Sequence, residues 1–429
     1  MRRREAAWPV GIAAVLGAWY ASDSLRHRRE HGDAGYKLHG NEGLDVGSVE
    51  FMRAAETLTG APISTGDEVE LLINGDEIFP VFLETIENAE RSINLVTYVY
   101  WRGDIATDVA KALAKKAREG VEVNLILDAM GTVKMELPLL RELRDAGVRV
   151  SRFRPPKPYA WRRLNNRTHR KLLIADGKVG MIGGVGIAEE WTGNAEDPDH
   201  WRDTHVLVRG PIVRGLQGAF AENWLEATGE VLVGPAHLPE LEEVDSGGPM
   251  QVVRSSATVG DTDMEALYFL AIASAKRSIE LTAAYFAPRP AFVDALCEAA
   301  DRGVDLRILV PGAHIDKSFV RMAGRAEYEE LLACGAQIFE YGPTMLHAKT
   351  MVVDGVWSSV GSVNFDNRSF QLHDEATLCV QSERFAGRLH AQFERDLAVS
   401  DRMDPERFGE RSLPHRAQER ALKLARREL

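Results

Sequence analysis

The hydrophobic pattern between residues 67 and 400 alternates between two periods. Short apolar runs, which predict buried strands, are followed by stretches whose apolar residues recur at i, i+3 and i+4, which predict helices. Several of these helical stretches end at a glycine that leads into the next apolar run. Strands that alternate with helices in this way predict an α/β fold with a largely parallel or mixed sheet.

This pattern occurs twice, and its parts follow in the same order. The matched segments are Asn88–Tyr100 with Ser274–Phe286, Val109–Asp128 with Val293–Pro311, and Glu142–Pro155 with Glu330–Pro343. Three matched blocks in one order predict an internal duplication. We place the first repeat at residues 67–235 and the second at residues 250–400, joined by a connection rich in glycine, proline and acidic residues.

The first 30 residues differ from the rest of the chain. Ala6–Ala21 contains no charged residue, is flanked by arginines on both sides, and has Trp8, Trp19 and Tyr20 near its ends. As a helix this segment would span roughly 24 Å, slightly short of a ~30 Å hydrocarbon core. We interpret residues 1–30 as a membrane segment, spanning or interfacial, in preference to a signal peptide or a buried helix.

Two further segments fall outside the repeats. Residues 31–66 are polar and glycine-rich, which predicts a linker, with one helix near Val49–Leu58. Residues 401–429 are highly charged, which predicts a solvent-exposed helical tail.

Composition narrows the classes of function. The net charge of −12 argues against a protein that coats nucleic acid, because such proteins usually have a basic excess. The three cysteines, Cys297, Cys334 and Cys379, match no zinc or redox spacing. We expect all three to be buried small hydrophobic side chains, with no disulfide framework.

One constellation of polar residues occurs in both repeats at identical spacing. It reads H-x-K, four residues, D, six residues, then G followed by G or S. Its members are His169, Lys171, Asp176 and Gly183-Gly184 in the first repeat, and His347, Lys349, Asp354 and Gly361-Ser362 in the second. The residues between Lys and Asp are apolar, so the motif lies on a buried strand, where side chains i and i+2 project from one face. The Asp-Gly step that follows predicts a hairpin turn.

Two histidines and two lysines suit the cleavage of a phosphodiester without a metal. One imidazole can attack phosphorus and form a covalent intermediate, while the other protonates the leaving oxygen and later activates the acceptor. The two ammonium groups can neutralise the charge on the non-bridging oxygens. No H-E-x-x-H sequence or cysteine cluster offers a metal site, so we expect neither a metal nor a cofactor.

Together with the segments around them, the paired motifs resemble the HKD motifs of the phospholipase D superfamily, and within it the bacterial cardiolipin synthases. The resemblance covers residues 67–400. Apart from the motifs, it rests on Gly183–Trp191, His200–Pro211, Tyr285–Pro288, Gly303–Pro311, Tyr328–Tyr341 and His347–Phe370. It implies an α/β fold of two pseudo-twofold-related repeats, each a mixed β-sheet flanked by helices, here preceded by a short N-terminal hydrophobic segment. The two motifs would meet between the repeats and form one site.

The resemblance also implies a role for each motif residue. The catalytic set is His169, Lys171, Asp176, His347, Lys349 and Asp354. His169 would be the nucleophile and His347 the general acid and base, with the two lysines holding the phosphate. Asp176 and Asp354 fall at the hairpin turns, where we expect them to brace the motif without contacting substrate.

Five further residues are implied to bind substrate or to orient the histidines. Ser362 and Asn364 match the oxygen ligands of the family, and Gly184 occupies the position of Ser362 in the first repeat. Asp203 and Glu375 match the acidic residues that fix the tautomer of each histidine, as the carboxylate does in a Ser-His-Asp triad.

The sequence departs from the family at its first motif and at its N-terminus. Gly186 stands where the first motif usually has an asparagine, which predicts altered substrate contact in that repeat. The N-terminus has one short apolar segment, whereas the bacterial synthases commonly have two spans. The basic stretch Arg152–Arg170, which includes Tyr159 and Trp161, is either a solvated loop or a contact for anionic head groups and the membrane.

We therefore predict a phosphatidyltransferase of the cardiolipin synthase type, acting on a phosphatidylglycerol-like phospholipid at the bacterial cell membrane. The main alternative is a phospholipase D that releases phosphatidic acid, because water can react with the same intermediate. A nucleic-acid phosphodiesterase is disfavoured by the acidic charge, and a non-enzymatic membrane scaffold by the two intact motifs. We expect no nucleic-acid partner, and because the site is complete within one chain, oligomerisation is not required.

Overall fold

The computed structural model of the chain describes residues 37–39, 43–156, 165–244, 247–257 and 263–409. The predicted membrane segment, residues 1–30, lies outside the described residues. Within the described ranges, no helix is both long enough and apolar enough to cross a membrane. The chain divides into two compact units, Met1–His39 and Gly40–Leu429, and every element below belongs to the second.

The first repeat and the segment before it contain five helices and eight strands among the described residues. In chain order they are α1 (Val49–Thr59), β1 (Glu68–Ile73), α2 (Asn74–Glu87), β2 (Ser92–Thr97), α3 (Asp104–Arg118), β3 (Glu122–Asp128), α4 (Leu137–Asp145), β4 (Arg149–Phe153), β5 (Arg167–Thr168), β6 (Leu172–Ala175), β7 (Val179–Gly183), β8 (Thr204–Arg209) and α5 (Val213–Thr228).

The second repeat and the residues after it contain six helices and ten strands in the described part of the chain. They are β9 (Met250–Ser255), α6 (Asp263–Ser274), β10 (Ser278–Ala283), β11 (Phe286–Ala287), α7 (Pro290–Asp301), β12 (Asp305–Pro311), α8 (Ser318–Ala333), β13 (Gln337–Tyr341), β14 (Lys349–Val353), β15 (Trp357–Gly361), β16 (Phe365–Asp366), α9 (Asn367–Gln371), β17 (His373–Gln381), α10 (Glu383–Leu397), β18 (Ser400–Arg402) and α11 (Pro405–Gly409).

The two large sheets share one topology. The described strands of the first follow the order β1-β8-β7-β6-β2-β3-β4, and those of the second contain the matching order β9-β17-β15-β14-β10-β12-β13. In both sheets the βαβ units give parallel pairs, β2 with β3 and β10 with β12, whereas the motif hairpins are antiparallel. The predicted fold class, a duplicated α/β unit with mixed sheets flanked by helices, is confirmed.

The two repeats share part of their hydrophobic core. One cluster of buried apolar side chains includes Ile174 and Val206 from the first sheet, Val352 and Leu378 from the second, and Trp224 from α5. Burying each such side chain contributes about 1.5–3 kcal/mol, so this shared core fixes the two sheets against each other.

Backbone hydrogen bonds also cross between the repeats, next to each motif histidine. The short strand β5 pairs in parallel with β17 of the second repeat, and the amide of His169 donates to the carbonyl of Asp374 at 2.8 Å. On the other side, the amide of His347 donates to the carbonyl of Arg202 in the first repeat at 2.7 Å. Both motifs therefore begin at the seam between the repeats.

The Asp-Gly steps form the predicted hairpin turns. Asp176 and Asp354 have φ angles of 55° and 54°, and the glycine after each is also left-handed, the combination that is typical of a type I′ turn. The Asp354 carboxylate accepts hydrogen bonds from the amides of Lys276, Arg277 and Ser278, between 2.7 and 3.2 Å. Asp176 accepts from the three equivalent amides of the first repeat. Each aspartate thus ties the motif hairpin to the start of the neighbouring strand.

Two segments outside the predicted repeats are integrated into the fold. Val49–Thr59 forms the predicted helix, and the segment assigned to a linker packs on the second repeat through Phe51, whose ring meets Trp357 edge to face at 6.1 Å. At the other end, Ser400–Arg402, at the start of the predicted helical tail, forms a strand that pairs with β13. Residues 410–429 of that tail lie outside the described residues.

The prediction that the chain has no disulfide is wrong. Cys297 on α7 and Cys334 at the end of α8 are only partly buried and form a disulfide, with their Cα atoms 5.4 Å apart. Their separation of 37 residues matches no sequence motif, so the pairing depends on how α7 and α8 pack. Cys379 is a buried free thiol, as predicted.

We expect Asp354→Ala to lower the free energy of unfolding by about 2–4 kcal/mol, because three backbone amides lose a charged acceptor. Chemical denaturation monitored by circular dichroism measures this difference. Asp301→Ala, at an exposed position on α7, is the matched control and should change stability by less than about 0.5 kcal/mol. Equal stability of the two variants would contradict the bracing role of Asp354.

Candidate active site

The two motifs bring four basic side chains into one buried site. Lys171 directly precedes β6 and Lys349 begins β14, so each histidine two residues earlier lies at the equivalent end of its own sheet. His169, Lys171, His347 and Lys349 are all buried, with at most 6% of each residue exposed. The Nζ atom of each lysine donates to the backbone carbonyl of its own histidine.

Each histidine is hydrogen-bonded by a carboxylate from the opposite repeat. His169 Nδ1 lies 3.0 Å from Glu375 Oε1, and His347 Nδ1 lies 2.7 Å from Asp203 Oδ2. A carboxylate is an acceptor, so these bonds place the ring proton on Nδ1 and leave Nε2 without one. The sequence indicated both carboxylates, but not that each serves the histidine of the other repeat.

Burial and mutual repulsion lower the proton affinity of the basic groups. Burial, reinforced by the Lys171 charge, holds the pKa of His169 well below its usual range, and burial with the Lys349 charge lowers the pKa of His347 to about 4. Burial also lowers the pKa of Lys171 to about 7 and that of Lys349 to about 8. At neutral pH both imidazoles are therefore uncharged, as a nucleophile and a general base must be.

The turn after each motif hairpin contacts the carboxylate in a different way. In the second repeat, the Ser362 hydroxyl donates to Glu375 Oε2. In the first, a Cβ on Gly184 would lie 2.1 Å from Asp203 Oδ1, so a serine has no room there. The indole of Trp191 takes over this function, because its Nε1 donates to Asp203 Oδ2 at 2.9 Å.

The missing asparagine of the first motif also has a steric explanation. A Cβ on Gly186 would lie 2.8 Å from Cβ of Val99 and 3.2 Å from the Trp191 ring, so a larger side chain would displace both. Its counterpart Asn364 is present and buried, and its Oδ1 has no hydrogen-bond partner among the described residues. Glycine at position 186 therefore leaves room for the Trp191 ring, which an asparagine there would displace.

Aromatic rings that sequence reasoning did not assign to the site surround the two imidazoles. Tyr98 and His373 lie 5.2 and 5.3 Å from the His169 ring, while Trp201 and Tyr285 lie 5.6 and 6.4 Å from the His347 ring. Trp191, Trp201 and Tyr285 lie in segments that resemble the phospholipase D superfamily. That resemblance is the signal in the sequence that could have pointed to them. These rings exclude water from the imidazoles and so strengthen the electrostatic interactions among them.

The described arginines of the basic stretch before the first motif are mostly engaged within the fold. Arg154 binds Glu226 at 2.7 Å and lies 3.4 Å from Asp374, and the buried Arg170 binds Glu222 at 2.9 Å. Both arginines therefore hold the first motif against neighbouring elements, and neither offers a free charge to a head group. Residues 157–164 of this stretch lie outside the described residues.

One group of side chains with the spacing of metal ligands lies in this site. It comprises His169, His373 and Glu375, whose candidate ligand atoms all lie within 4.8 Å of one another. At neutral pH Lys349, with a pKa of about 8, is mostly protonated and Lys171, with a pKa of about 7, is about half protonated, and this positive charge disfavours a cation there. The absence of a metal cofactor stays a prediction.

We expect Trp191→Phe to raise the pKa of His347 by about half a unit to one unit. Without the indole N–H, the Asp203 carboxylate is less stabilised and attracts the imidazolium form more strongly. Titration of the histidine ring signals by NMR measures the shift. Trp357→Phe, on β15 with its ring against Phe51, is the control and should leave the titration unchanged. An unshifted His347 in the Trp191 variant would contradict this assignment.

The sequence matches a family described as "Cardiolipin synthase, PLD-like domain" over residues 82–208 and 268–397, one match in each repeat. Similar proteins include cardiolipin synthases from Geobacillus sp. strain WCH70 and from Halalkalibacterium halodurans. The first is 36% identical over 376 residues, which are 87% of this chain and 75% of the relative. The second is 33% identical over 398 residues, which are 90% of this chain and 79% of the relative.

Two solved structures have the same fold. Phosphatidylserine synthase from Haemophilus influenzae superposes with a TM-score of 0.67 at 12% identity, covering 89% of this chain and all of that chain. Polyphosphate kinase from Porphyromonas gingivalis gives a TM-score of 0.55 at 13% identity, covering 84% of this chain and 54% of that chain. At these identities the likeness concerns the fold.

These similarities confirm the predicted superfamily, together with the predicted enzyme class, the phosphatidyltransferases of the cardiolipin synthase type. The match in both repeats and the identity over most of the chain agree with the duplicated site described above. The chain belongs to the family of cardiolipin synthases with phospholipase D-like domains.

Proposed function

We propose that the protein transfers a phosphatidyl group from one phosphatidylglycerol molecule to a second, forming cardiolipin and releasing glycerol. The observation that supports this most strongly is the buried pairing of each motif histidine with a carboxylate of the opposite repeat, beside two lysines. This arrangement provides a nucleophile, a proton donor and a cationic cradle within one site. Family membership selects the phospholipid as the substrate class.

In the first step, Nε2 of His169 attacks the phosphorus of the donor lipid. The P–N bond forms as the P–O bond to the glycerol head group breaks, so the phosphatidyl group is held as a phosphohistidine. Glu375 orients the ring by accepting a hydrogen bond from Nδ1–H, and it stabilises the positive charge that develops on the imidazole.

His347 handles the proton at the leaving and entering oxygens. It donates a proton to the departing glycerol oxygen and later takes one from the hydroxyl of the acceptor lipid. The low pKa of His347 in the free protein reflects burial and the Lys349 charge, and a bound phosphodiester anion offsets both by favouring the imidazolium. Asp203 supports that cation from the other repeat.

The remaining predicted residues hold the phosphate or the motifs. Lys171 and Lys349 neutralise the non-bridging oxygens, and the amide of the buried Asn364 donates a hydrogen bond to one of them. Ser362 positions Glu375 through its hydroxyl, and Gly184 leaves the space that Asp203 occupies. Asp176 and Asp354 act at the turns and do not contact the substrate.

The proposal extends to the membrane. Residues 1–30 would hold the enzyme at the bacterial cell membrane, where its lipid substrates lie. Since both motifs of the site come from one chain, catalysis does not require an oligomer.

The first test is product analysis with purified full-length protein in mixed micelles of phosphatidylglycerol. We expect cardiolipin and glycerol from the wild type, and a loss of about a thousandfold or more in His169→Ala and His347→Ala. Mass spectrometry identifies the lipids. His390→Ala, which removes a half-exposed histidine on α10 outside the site, is the control and should retain full activity.

Other products would change the proposal. Phosphatidic acid without cardiolipin would mean that water is the acceptor, and the protein would be a phospholipase D. Absence of any product from phosphatidylglycerol or other phospholipids would contradict the proposed substrate class.

A further inference from the structure

Two cations near the site are not used in the phosphodiester chemistry above. Lys317 lies just before α8, and its Nζ is 4.6 Å from the centre of the Tyr285 ring. That ring in turn lies 6.4 Å from the His347 ring. Through Tyr285, Lys317 therefore borders the His347 side of the site, and its charge also reaches His169 and Lys171.

Arg368 is the second of these cations. It lies on the short helix α9, and its Nε is buried without a hydrogen-bond partner among the described residues. The chain after α9 leads to His373, whose ring is 5.3 Å from His169. The Arg368 charge also acts on Lys317, whose pKa is lowered chiefly by burial and further by this guanidinium.

Nearby carboxylates offset this positive charge incompletely. The Asp316 carboxylate accepts a hydrogen bond from the Tyr285 hydroxyl at 2.8 Å and partly offsets the positive charge of Lys317. Burial raises the pKa of Asp366 to about 7, so this carboxyl is about half protonated at neutral pH. The two cations therefore repel each other, and a bound anion would relieve that repulsion.

The proposed reaction brings a second anion, the phosphate of the acceptor lipid, close to the site. The acceptor must present its terminal glycerol hydroxyl to His347 while its own phosphate stays close by. Five bonds of roughly 1.5 Å connect that hydroxyl oxygen to phosphorus, which places the acceptor phosphate about 6 Å from the reacting oxygen. The Tyr285 ring, which Lys317 covers, lies at a similar distance from the His347 ring.

We propose that Lys317 and Arg368 form an acceptor subsite that binds the phosphodiester of the second phosphatidylglycerol molecule and so favours transfer over hydrolysis. This inference rests on the proposed function. In the step it serves, the acceptor hydroxyl gives its proton to His347, its oxygen bonds to phosphorus, and the bond from phosphorus to His169 breaks. Water and glycerol have no phosphate, so they gain nothing from the subsite.

The test compares an anionic acceptor with a neutral one, using the full chain in phosphatidylglycerol micelles. Cardiolipin formation reports transfer to phosphatidylglycerol, and incorporation of labelled glycerol into phosphatidylglycerol reports transfer to a neutral acceptor through the same intermediate. We expect Lys317→Gln and Arg368→Gln each to lower the ratio of the two rates about tenfold, because each removes a charged contact to the acceptor only.

Two further variants make the comparison specific. Lys317→Arg, which keeps the charge, should restore most of the ratio. Arg384→Gln, at an exposed position on α10, should leave the ratio unchanged. If Arg368→Gln does not fold, the Lys317 pair still decides the question.

Two outcomes would overturn the subsite. Equal losses of both rates would assign the cations to the donor phosphate or to the fold, and an unchanged ratio would show that they do not contact the acceptor. Failure of the proposed function itself looks different, because the wild type would then form no cardiolipin before any variant is compared.

Discussion

The structure depends on two buried imidazole–carboxylate pairs that cross between the repeats. His169 belongs to one repeat and Glu375 to the other, and the pair of His347 and Asp203 is arranged in the opposite sense. Breaking a buried pair of this kind by removing one partner costs about 3–5 kcal/mol when the remaining group is charged. Because each pair takes its histidine from one repeat and its carboxylate from the other, neither repeat forms a working site alone. The shared core and the strand pairing between β5 and β17 hold the repeats at the spacing that these two pairs need.

The duplicated site is not symmetric. The second repeat supplies a serine hydroxyl to its carboxylate, whereas the first supplies the indole of Trp191 in a space that Gly184 leaves open. One imidazole is bordered by Tyr98 and His373, and the other by Trp191, Trp201 and Tyr285. Different surroundings for two chemically identical groups are a common way to give them different roles. This asymmetry agrees with a nucleophile on one side and an acid–base group on the other.

Local patterns predicted much of this molecule. Hydrophobic periodicity indicated the strands and helices, the repeated blocks indicated the duplication, and the Asp-Gly steps indicated the turns at Asp176 and Asp354, because each signal lies within a few residues. Features that join distant segments were not predictable in the same way. The paired atoms of the two crossed hydrogen bonds lie 206 and 144 residues apart, and the disulfide depends on the packing of two helices. The function of Trp191 and the ion pairs of Arg154 and Arg170 likewise emerge only from the tertiary structure.

In the proposed reaction His169, oriented by Glu375 of the opposite repeat, carries the phosphatidyl group. Rapid mixing with phosphatidylglycerol, followed by alkaline quenching, digestion and mass spectrometry, locates a phosphoramidate because the P–N bond survives base. We expect a phosphatidyl adduct on the peptide that contains His169. We also expect this adduct to persist in His347→Ala supplied with a phosphatidyl donor whose leaving group needs no proton. An adduct on His347, or no adduct under conditions in which product forms, would rule out His169 as the nucleophile.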